Sequence, residues 1–255
     1  MPDEPVLTER RDRVLLITLN RPKARNAVNL ALAEGVAGAL DELDADGDLA
    51  VGVITGAGAG FCAGMDLKAF VTGERPWVGD RGFAGIVQRA SRKPLIAAIE
   101  GFAVAGGLEV ALACDLIVAG RDAKLGIPEV KRSLVAAGGA LMRLPRRIPY
   151  GVAMELALTG DTITAERGYE LGLVNRLADS GGAVDAALEL ARAIAGNGPL
   201  ALDATKAILQ QQFDWDEEEF WQRQGELSGP VFTSQDAREG AVAFSEKRDP
   251  VWQGR

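Results

Sequence analysis

The chain has 255 residues, a length typical of one large domain or of one domain with a small appendage. Its 47% hydrophobic and 25% charged residues are ordinary for a soluble globular enzyme. The net charge of −8, without a long basic stripe, argues against nucleic-acid binding. No histidine is present, which excludes Ser-His-Asp triads, Cys-His dyads and histidine-ligated metal sites. Carboxylates are therefore the leading candidates for acid–base chemistry.

The two cysteines, Cys62 and Cys114, lie among small apolar residues and are predicted to be buried free thiols. They are too few for a structural zinc cluster or a disulfide framework, and no metal site is predicted. No run of 18 apolar residues predicts a membrane span. The acidic start at residues 1–5 lacks the core of a signal peptide, so we expect a cytoplasmic protein that does not bind membranes.

The first half of the chain alternates predicted strands and helices. Apolar, β-branched runs predict strands at residues 14–19, 51–55, 95–99 and 116–119. Apolar spacing predicts helices at residues 30–43, 83–90 and 107–113. Glycine, proline and charged residues predict a mobile surface loop at residues 72–82. This alternation is typical of an α/β protein with helices packed on a parallel or mixed sheet.

The second half is predicted to be mostly helical. Helices are expected at residues 150–158, 165–171, 183–195, 200–212, 216–227 and 235–246, with a short strand near 173–177. The last part carries aromatic residues that the pattern leaves exposed: Phe213, Trp215, Phe220, Trp221, Phe232, Phe244 and Trp252. Two interpretations have equal weight: these side chains contact another subunit or cap a pocket, or they belong to the core.

Residues 94–115 contain the strongest chemical signal. A buried strand leads through small residues into Gly106 and Gly107, and a helix then begins with Glu109 in its first turn. Because Gly106 has no side chain, a ligand can approach its N–H, and the unpaired N–H groups of a helix start favour an oxyanion. Glu109 has almost only small or apolar neighbours, which favours a function over simple pairing with the helix dipole. The pattern indicates chemistry on a carbonyl.

A second carboxylate follows 20 residues later in the chain. Pro128 fits the first position of a helix and puts Glu129 in its first turn, although Pro-Glu is also a common helix start. A helix, a strand and a loop between Glu109 and Glu129 can bring both carboxylates to one pocket. Two carboxylates in different environments can divide into a base and an acid.

Two glycine-containing turns have simpler explanations. Residues 58–63 fit a dinucleotide-binding fingerprint only loosely and lack its acidic partner, so a plain turn is favoured. Residues 64–68 predict a loop entering a helix, with Asp66 as its N-cap. The functional alternative, in which the Met65 N–H is a second oxyanion donor, is weaker from these residues alone.

Motifs along nearly the whole chain resemble the crotonase, or enoyl-CoA hydratase/isomerase, superfamily. They lie at residues 20–27, 55–67, 105–109, 114–115, 126–129, 158–161, 172–174 and 239–248. The resemblance implies an α/β crotonase (ClpP/crotonase-like) fold, with a repeated ββα spiral core at residues 1–195. It also implies a helical C-terminal trimerisation region at residues 196–255, and either homotrimers or hexamers made of two trimers.

The resemblance further implies an enoyl-CoA hydratase that reversibly adds water to a 2-trans-enoyl-CoA thioester through an enolate. The N–H groups of Met65 and Gly106 would form the oxyanion hole, Glu109 would activate water, and Glu129 would deliver a proton to C2. Substrate and coenzyme A contacts are implied for Lys23, Ala24, Arg25, Ala27, Ala63, Asp66, Leu67 and Lys68. No cofactor is expected beyond the coenzyme A of the substrate itself.

Some alternatives remain open. The two glutamates favour a hydratase over a Δ3-Δ2 enoyl-CoA isomerase, but a carnitinyl-CoA-type dehydratase also uses both, and a non-catalytic acyl-CoA-binding scaffold is the alternative outside enzymes. Residues 130–137 depart from the usual hydratase pattern, so the acyl chain stays unassigned. Lys131 and Arg132 there are predicted to be surface charges, with contact to an unusual acyl group as the alternative.

Overall fold

The computed structural model describes residues 4–255, which form eleven strands and ten α-helices. The strands are β1 (Val6–Arg11), β2 (Val14–Leu19), β3 (Val51–Gly56), β4 (Trp77–Val78), β5 (Gly82–Phe83), β6 (Leu95–Ile99), β7 (Phe102–Val104), β8 (Leu116–Gly120), β9 (Lys124–Gly126), β10 (Thr162–Thr164) and β11 (Arg176–Ala178). The helices are α1 (Leu30–Ala45), α2 (Leu67–Val71), α3 (Gly106–Ala113), α4 (Ala140–Arg147), α5 (Tyr150–Thr159), α6 (Ala165–Glu170), α7 (Ala183–Ala195), α8 (Pro199–Gln211), α9 (Glu217–Phe232) and α10 (Gln235–Glu246). Part of the segment predicted to lack a signal peptide, residues 1–3, lies outside the described residues.

A six-stranded sheet with the order β1-β2-β3-β6-β8-β11 forms the centre of the molecule. β1 pairs antiparallel with β2, and all other neighbours are parallel. In the four inner strands, β2, β3, β6 and β8, neighbouring residues enter different core clusters, as Leu15 and Leu16 of β2 do. The inner residues of α1 belong to the first cluster and those of α7 to the second. Because both faces of these four strands are buried, they appear in the sequence as continuous runs without charged residues.

A three-stranded sheet, ordered β10-β9-β7, lies beside the first one. β6 and β8 join the larger sheet, and the strands that follow them, β7 and β9, join the smaller sheet. Helix α3 follows β7, and a 3-10 turn at Pro128–Arg132 followed by α4 comes after β9. This repeated strand–strand–helix path is the α/β spiral that the motifs implied.

One predicted helix is wrong. Residues 83–90 form the end of β5 and then turns. Ala84 and Gly85 both have positive φ angles, 55° and 68°, which are incompatible with a right-handed helix. The preceding loop, residues 72–82, includes β4, which pairs with β5 as a short antiparallel hairpin.

The last three helices have few buried residues. α8 and α9 contain no fully buried side chain, and in α10 only Asp236 and Ala243 are buried. Four of the aromatic residues are widely exposed: Phe213 (57%), Trp221 (64%), Phe232 (80%) and Phe244 (87%). Core packing within the chain therefore does not account for these four side chains. No helix among the described residues is both long and apolar enough to cross a bilayer.

Candidate active site

Helix α3 begins at Gly106 and presents an unpaired N–H. The residue before it, Ala105, has φ 53° and ψ −134°, a conformation that L-residues rarely adopt. The N–H of Ala105 is fixed by the carbonyl of Gly126 at 2.9 Å, and its carbonyl accepts from Leu108 (2.9 Å). Within residues 4–255, the N–H of Gly106 donates to no acceptor. The strained residue thus turns the chain so that this donor points away from the backbone network.

Met65 supplies a second free donor beside it. Met65 forms a parallel bridge with Val28, in which the Gly64 carbonyl accepts from the Val28 N–H at 2.8 Å and the Asp66 N–H donates to the Val28 carbonyl at 2.9 Å. In a parallel bridge the intermediate residue faces the other way, so the Met65 N–H points outward and finds no acceptor in the described chain. A Cβ on Gly64 would lie 2.9 Å from the Gly106 nitrogen, which shows how closely the two segments approach.

Asp66 is the N-cap of α2, as predicted. Its carboxylate accepts hydrogen bonds from the N–H groups of Lys68 (3.1 Å) and Ala69 (3.4 Å), and it pairs with Arg21 at 3.0 Å. The capping role of Asp66 and the outward N–H of Met65 are compatible, because they involve adjacent residues of one turn.

Glu109 is almost fully buried and has a pKa raised to about 7, mainly by that burial. The N–H of Ala140 donates to its Oε1 at 3.1 Å and acts in the opposite direction, while the charge of Glu129 raises the pKa further. A Cβ on Gly138 would lie only 2.5 Å from Oε2, so the carboxylate fits closely against this turn. Near neutral pH both protonation states of Glu109 are populated.

Glu129 lies in the first turn of the 3-10 helix that starts at Pro128, not of an α-helix. Burial raises its pKa above the usual range, and the positive charge of Arg132 acts against this. The buried Oε2 has no hydrogen-bond partner among the described residues. An unpartnered buried carboxyl oxygen is costly unless a ligand or water binds it.

Parallel strands bring the two glutamates together. β7 and β9 pair in parallel with Val104 opposite Gly126. Glu109 follows the end of β7 and Glu129 follows the end of β9, so both side chains lie at the same edge of the small sheet. The influence of the Glu129 charge on Glu109 agrees with this proximity. The fold thus brings both glutamates to one edge of the small sheet, and their catalytic roles stay a prediction.

The segments with implied coenzyme A contacts also lie close to one another. The N–H of Ala63 donates to the carbonyl of Arg25 at 3.1 Å, which joins the turn at residues 23–27 to the loop before α2. Lys23, Arg25 and Lys68 are exposed cations on these segments. The remaining implied residues, Ala24, Ala27, Asp66 and Leu67, lie on the same two segments.

Sequence reasoning missed several residues of this region. Asn26 is fully buried, and its amide donates to the carbonyls of Ala57 and Gly60, both at 2.9 Å, which fastens the turn at residues 23–27. Gly138 and Ala140 surround the Glu109 carboxylate. The only sequence signal for them was the glycine pair at residues 138–139, and nothing in the sequence indicated that this pair lies against Glu109.

The divergent segment after Glu129 is largely exposed. Lys131 pairs with Asp161 at 2.6 Å, and Arg132 is exposed, in agreement with the prediction of surface charges. A cavity of about 710 Å³ lies elsewhere, between α4, α8 and the C-terminal end of α3. It includes neither of the two glutamates, nor Met65 or Gly106.

Comparison with known proteins agrees with this geometry. The sequence model of the enoyl-CoA hydratase/isomerase family matches residues 9–255. The enoyl-CoA hydratase EchA19 of Mycobacterium tuberculosis is 44% identical over 259 residues, covering 98% of this chain and 96% of that protein. A carnitinyl-CoA dehydratase of Salmonella paratyphi A is 40% identical over 250 residues, 95% of each chain. The crystal structure of the enoyl-CoA hydratase EchA1 from Mycobacterium marinum superposes with a TM-score of 0.98 at 58% identity, over 99% of this chain and 100% of that one. The chain has the predicted crotonase fold and belongs to the enoyl-CoA hydratase/isomerase family.

Proposed function

We propose that this protein is an enoyl-CoA hydratase, a hydro-lyase that reversibly adds water across the C2=C3 bond of a 2-trans-enoyl-CoA thioester. The observation that carries the proposal is a pair of carboxylates, buried Glu109 and half-buried Glu129, both with raised pKa values, beside two N–H groups that have no acceptor within residues 4–255. The names of the relatives, an enoyl-CoA hydratase and a carnitinyl-CoA dehydratase, support the same reaction type.

The N–H groups of Met65 and Gly106 are proposed to hold the thioester oxygen. When water attacks C3, the electrons of the C2=C3 bond move toward the carbonyl, and negative charge develops on that oxygen. Donors fixed in advance stabilise this enolate without reorganising, and removing one such donor typically slows a reaction by about 10²–10³. As the first residue of α3, Gly106 has no intrahelical acceptor for its N–H, and the strained Ala105 before it fixes the direction of this donor.

The two glutamates are proposed to divide the proton transfers. Ionised Glu109 takes a proton from water as the oxygen bonds to C3, and protonated Glu129 gives a proton to C2 as the enolate collapses to the thioester. A pKa of about 7 suits Glu109 as a base near neutral pH. Burial favours the protonated form of Glu129. Dehydration reverses both transfers.

Coenzyme A is proposed to bind along the two segments at residues 23–27 and 63–68. The exposed cations Lys23, Arg25 and Lys68 suit its phosphates. No metal or redox cofactor is needed, because the N–H groups polarise the thioester and coenzyme A is part of the substrate.

Residues 1–195 are proposed as the catalytic spiral and residues 196–255 as a trimerisation region. The exposed aromatic side chains of α9 and α10 support contacts with other copies of the chain. We propose a homotrimer, or a hexamer of two trimers, in the cytoplasm, without nucleic-acid or membrane partners. Light scattering measures the mass, and a monomer at micromolar concentration would contradict the proposal.

The decisive experiment is a turnover profile across crotonyl-CoA and a panel of branched enoyl-CoAs. Hydration removes the absorbance of the enoyl thioester, and we expect at least one member of the panel to react. Glu109→Gln and Glu129→Gln should each slow turnover severely. A panel without any reaction, or a fully active double variant, would overturn the proposal; tight coenzyme A binding without turnover would favour the scaffold.

The second candidate is a carnitinyl-CoA-type dehydratase, which the similarity to the Salmonella paratyphi A protein favours. The panel separates the two through a 3-hydroxyacyl thioester carrying a quaternary ammonium group, which only such a dehydratase should dehydrate efficiently. Reaction in heavy-oxygen water tests the isomerase alternative, because double-bond migration incorporates no solvent oxygen.

A further inference from the structure

Arg143 of α4 connects two turns that border the proposed active site. Its Nη1 donates to the carbonyl of Gly138 at 3.3 Å, and its Nη2 donates to the carbonyl of Val87 at 2.6 Å. The side chain is half-buried, and its burial together with the charge of Arg147 lowers its pKa below the usual value. An enclosed guanidinium bound to two carbonyls acts as a fixed brace, because its planar fork loses little freedom for each hydrogen bond.

The first turn, at residues 138–140, carries the N–H that donates to the Glu109 carboxylate. Gly139 has a φ of 101°, a conformation that favours glycine, and this turn directs the Ala140 N–H to Oε1 of Glu109 at 3.1 Å. Gly138 lies against Oε2 of the same carboxylate. Arg143 binds the carbonyl of the same Gly138, so it holds the turn that lies against the Glu109 carboxylate.

The second turn follows a residue that packs against Gly106, which carries the proposed oxyanion donor. Val87 belongs to the turns that follow Phe83, and a Cβ on Gly106 would lie 2.7 Å from the Phe83 ring. The same guanidinium therefore links the segment that packs against Gly106 to the turn that holds Glu109.

We propose that Arg143 is a positioning residue for the hydration reaction: it fixes the turn at residues 138–140, and through it the orientation of the Glu109 carboxylate, without contacting the substrate. The inference rests on the proposed function for its role in catalysis, whereas the link between Arg143 and Glu109 does not depend on it.

Other charges around this brace do not replace it. Arg147 donates to the carbonyls of Leu112 (3.0 Å) and Cys114 (2.7 Å) at the end of α3. Arg146 is exposed and stacks over the ring of Phe213 at 4.7 Å.

The charge of Arg143 lowers the pKa of Glu109, and the charge of Glu129 raises it. Loss of Arg143 should therefore raise the pKa of Glu109 in two ways, through the lost positive charge and through a looser Ala140 N–H bond.

The test compares Arg143→Met and Arg143→Lys with a matched control, Arg146→Met, which removes the same charge from the same helix. For Arg143→Met we expect kcat on a reactive enoyl-CoA to fall roughly 10- to 100-fold, the effect of weakening a hydrogen bond to a charged group. KM should stay within about threefold, because the residue does not bind substrate. The acidic midpoint of kcat/KM should move to higher pH. Lysine should restore the midpoint more than kcat, because it keeps the charge but not the fork.

A second readout does not need activity. Infrared spectroscopy can follow the carboxyl band of Glu109, which is identified as the band that Glu109→Gln removes. Titrating this band in the wild type and in the arginine variants gives the midpoint of Glu109 in each protein. The midpoint should rise in Arg143→Met and stay unchanged in Arg146→Met. If Arg143→Met does not fold, Arg143→Gln, which keeps an amide donor without the charge, must show the same direction.

Unchanged midpoints and kcat in a folded Arg143 variant would overturn the inference, and so would equal effects of the Arg146 control. If the wild type hydrates no enoyl-CoA, the proposed function fails while the infrared titration still decides whether Arg143 controls Glu109.

Discussion

Replacing Glu109 by glutamine should stabilise the protein at alkaline pH, because it removes a charge that burial makes unfavourable. Folding raises the pKa of Glu109 from 4.5 to about 7. A group whose pKa is higher in the folded state contributes stability below its unfolded pKa and loses this contribution as the pH rises through the folded value. The contribution of Glu109 is therefore complete below pH 4.5 and declines until the pH exceeds about 7.

The magnitude follows from the same two values. A change of one unit in pKa corresponds to about 1.36 kcal/mol, so the rise from 4.5 to about 7 corresponds to about 3 kcal/mol in the free energy of unfolding. Glutamine is nearly isosteric and keeps an oxygen acceptor for the N–H of Ala140. The pH-dependent part of the difference between the two proteins then comes from the charge.

Urea unfolding of wild type and Glu109→Gln from about pH 4 to about pH 9 measures this difference. The protein concentration must be equal in all samples, since oligomerisation shifts the apparent stability. We expect the variant to gain about 3 kcal/mol relative to wild type over this range, most of it between about pH 5 and about pH 8. Parallel stability curves would show that Glu109 is not held in a desolvating environment and would refute the reasoning.

Three further predictions test the neighbouring features. Gly138→Ala should lower kcat roughly 10- to 100-fold, because the added Cβ pushes Glu109 away from the Ala140 N–H. The control Gly151→Ala, where a Cβ meets nothing within 4 Å, should not change kcat. Equal kcat values in the two variants would contradict this prediction. Glu129→Gln should lower kcat by about 10²–10⁴ and remove the alkaline limb of the pH–rate profile, because the protonated acid is lost; a retained limb would assign the acid elsewhere. Phe232→Ser should shift the mass measured by light scattering toward the monomer, and an unchanged trimer would place the interface away from this exposed ring.

The sequence was sufficient to predict elements whose apolar pattern is local and extends over many residues. The helix predicted at residues 183–195 has the same bounds as α7, because its apolar residues recur at helical spacing and pack on one face of the sheet. The first-turn position of Glu109 was also predictable from the glycine pair before it. The order of β7 and β9, three residues each, was not, because such short strands carry almost no periodic signal.

The predicted helix at residues 83–90 failed because apolar spacing does not record backbone conformation. Its apolar residues, among them Phe83, Ile86 and Val87, are buried, so the burial signal was real. The positive φ of Ala84, an alanine rather than a glycine, gave no warning in the sequence. The contacts of Arg143 were equally hidden, because its partners at residues 87 and 138 meet only in the folded chain.

The absence of histidine connects stability and chemistry in this protein. Histidine has an ordinary pKa near neutrality, about 6.5, and can act as a base there without extensive burial. A glutamate reaches this range only if the fold makes its charge unfavourable, and at Glu109 burial is the main cause. Ionising Glu109 therefore lowers the free energy of unfolding. The same unfavourable charge makes the carboxylate basic enough to accept a proton from water. The Ala140 N–H limits that loss, so the turn at residues 138–140 sets a balance: a firmer hydrogen bond would make Glu109 a weaker base, and a looser one would leave it protonated at neutral pH.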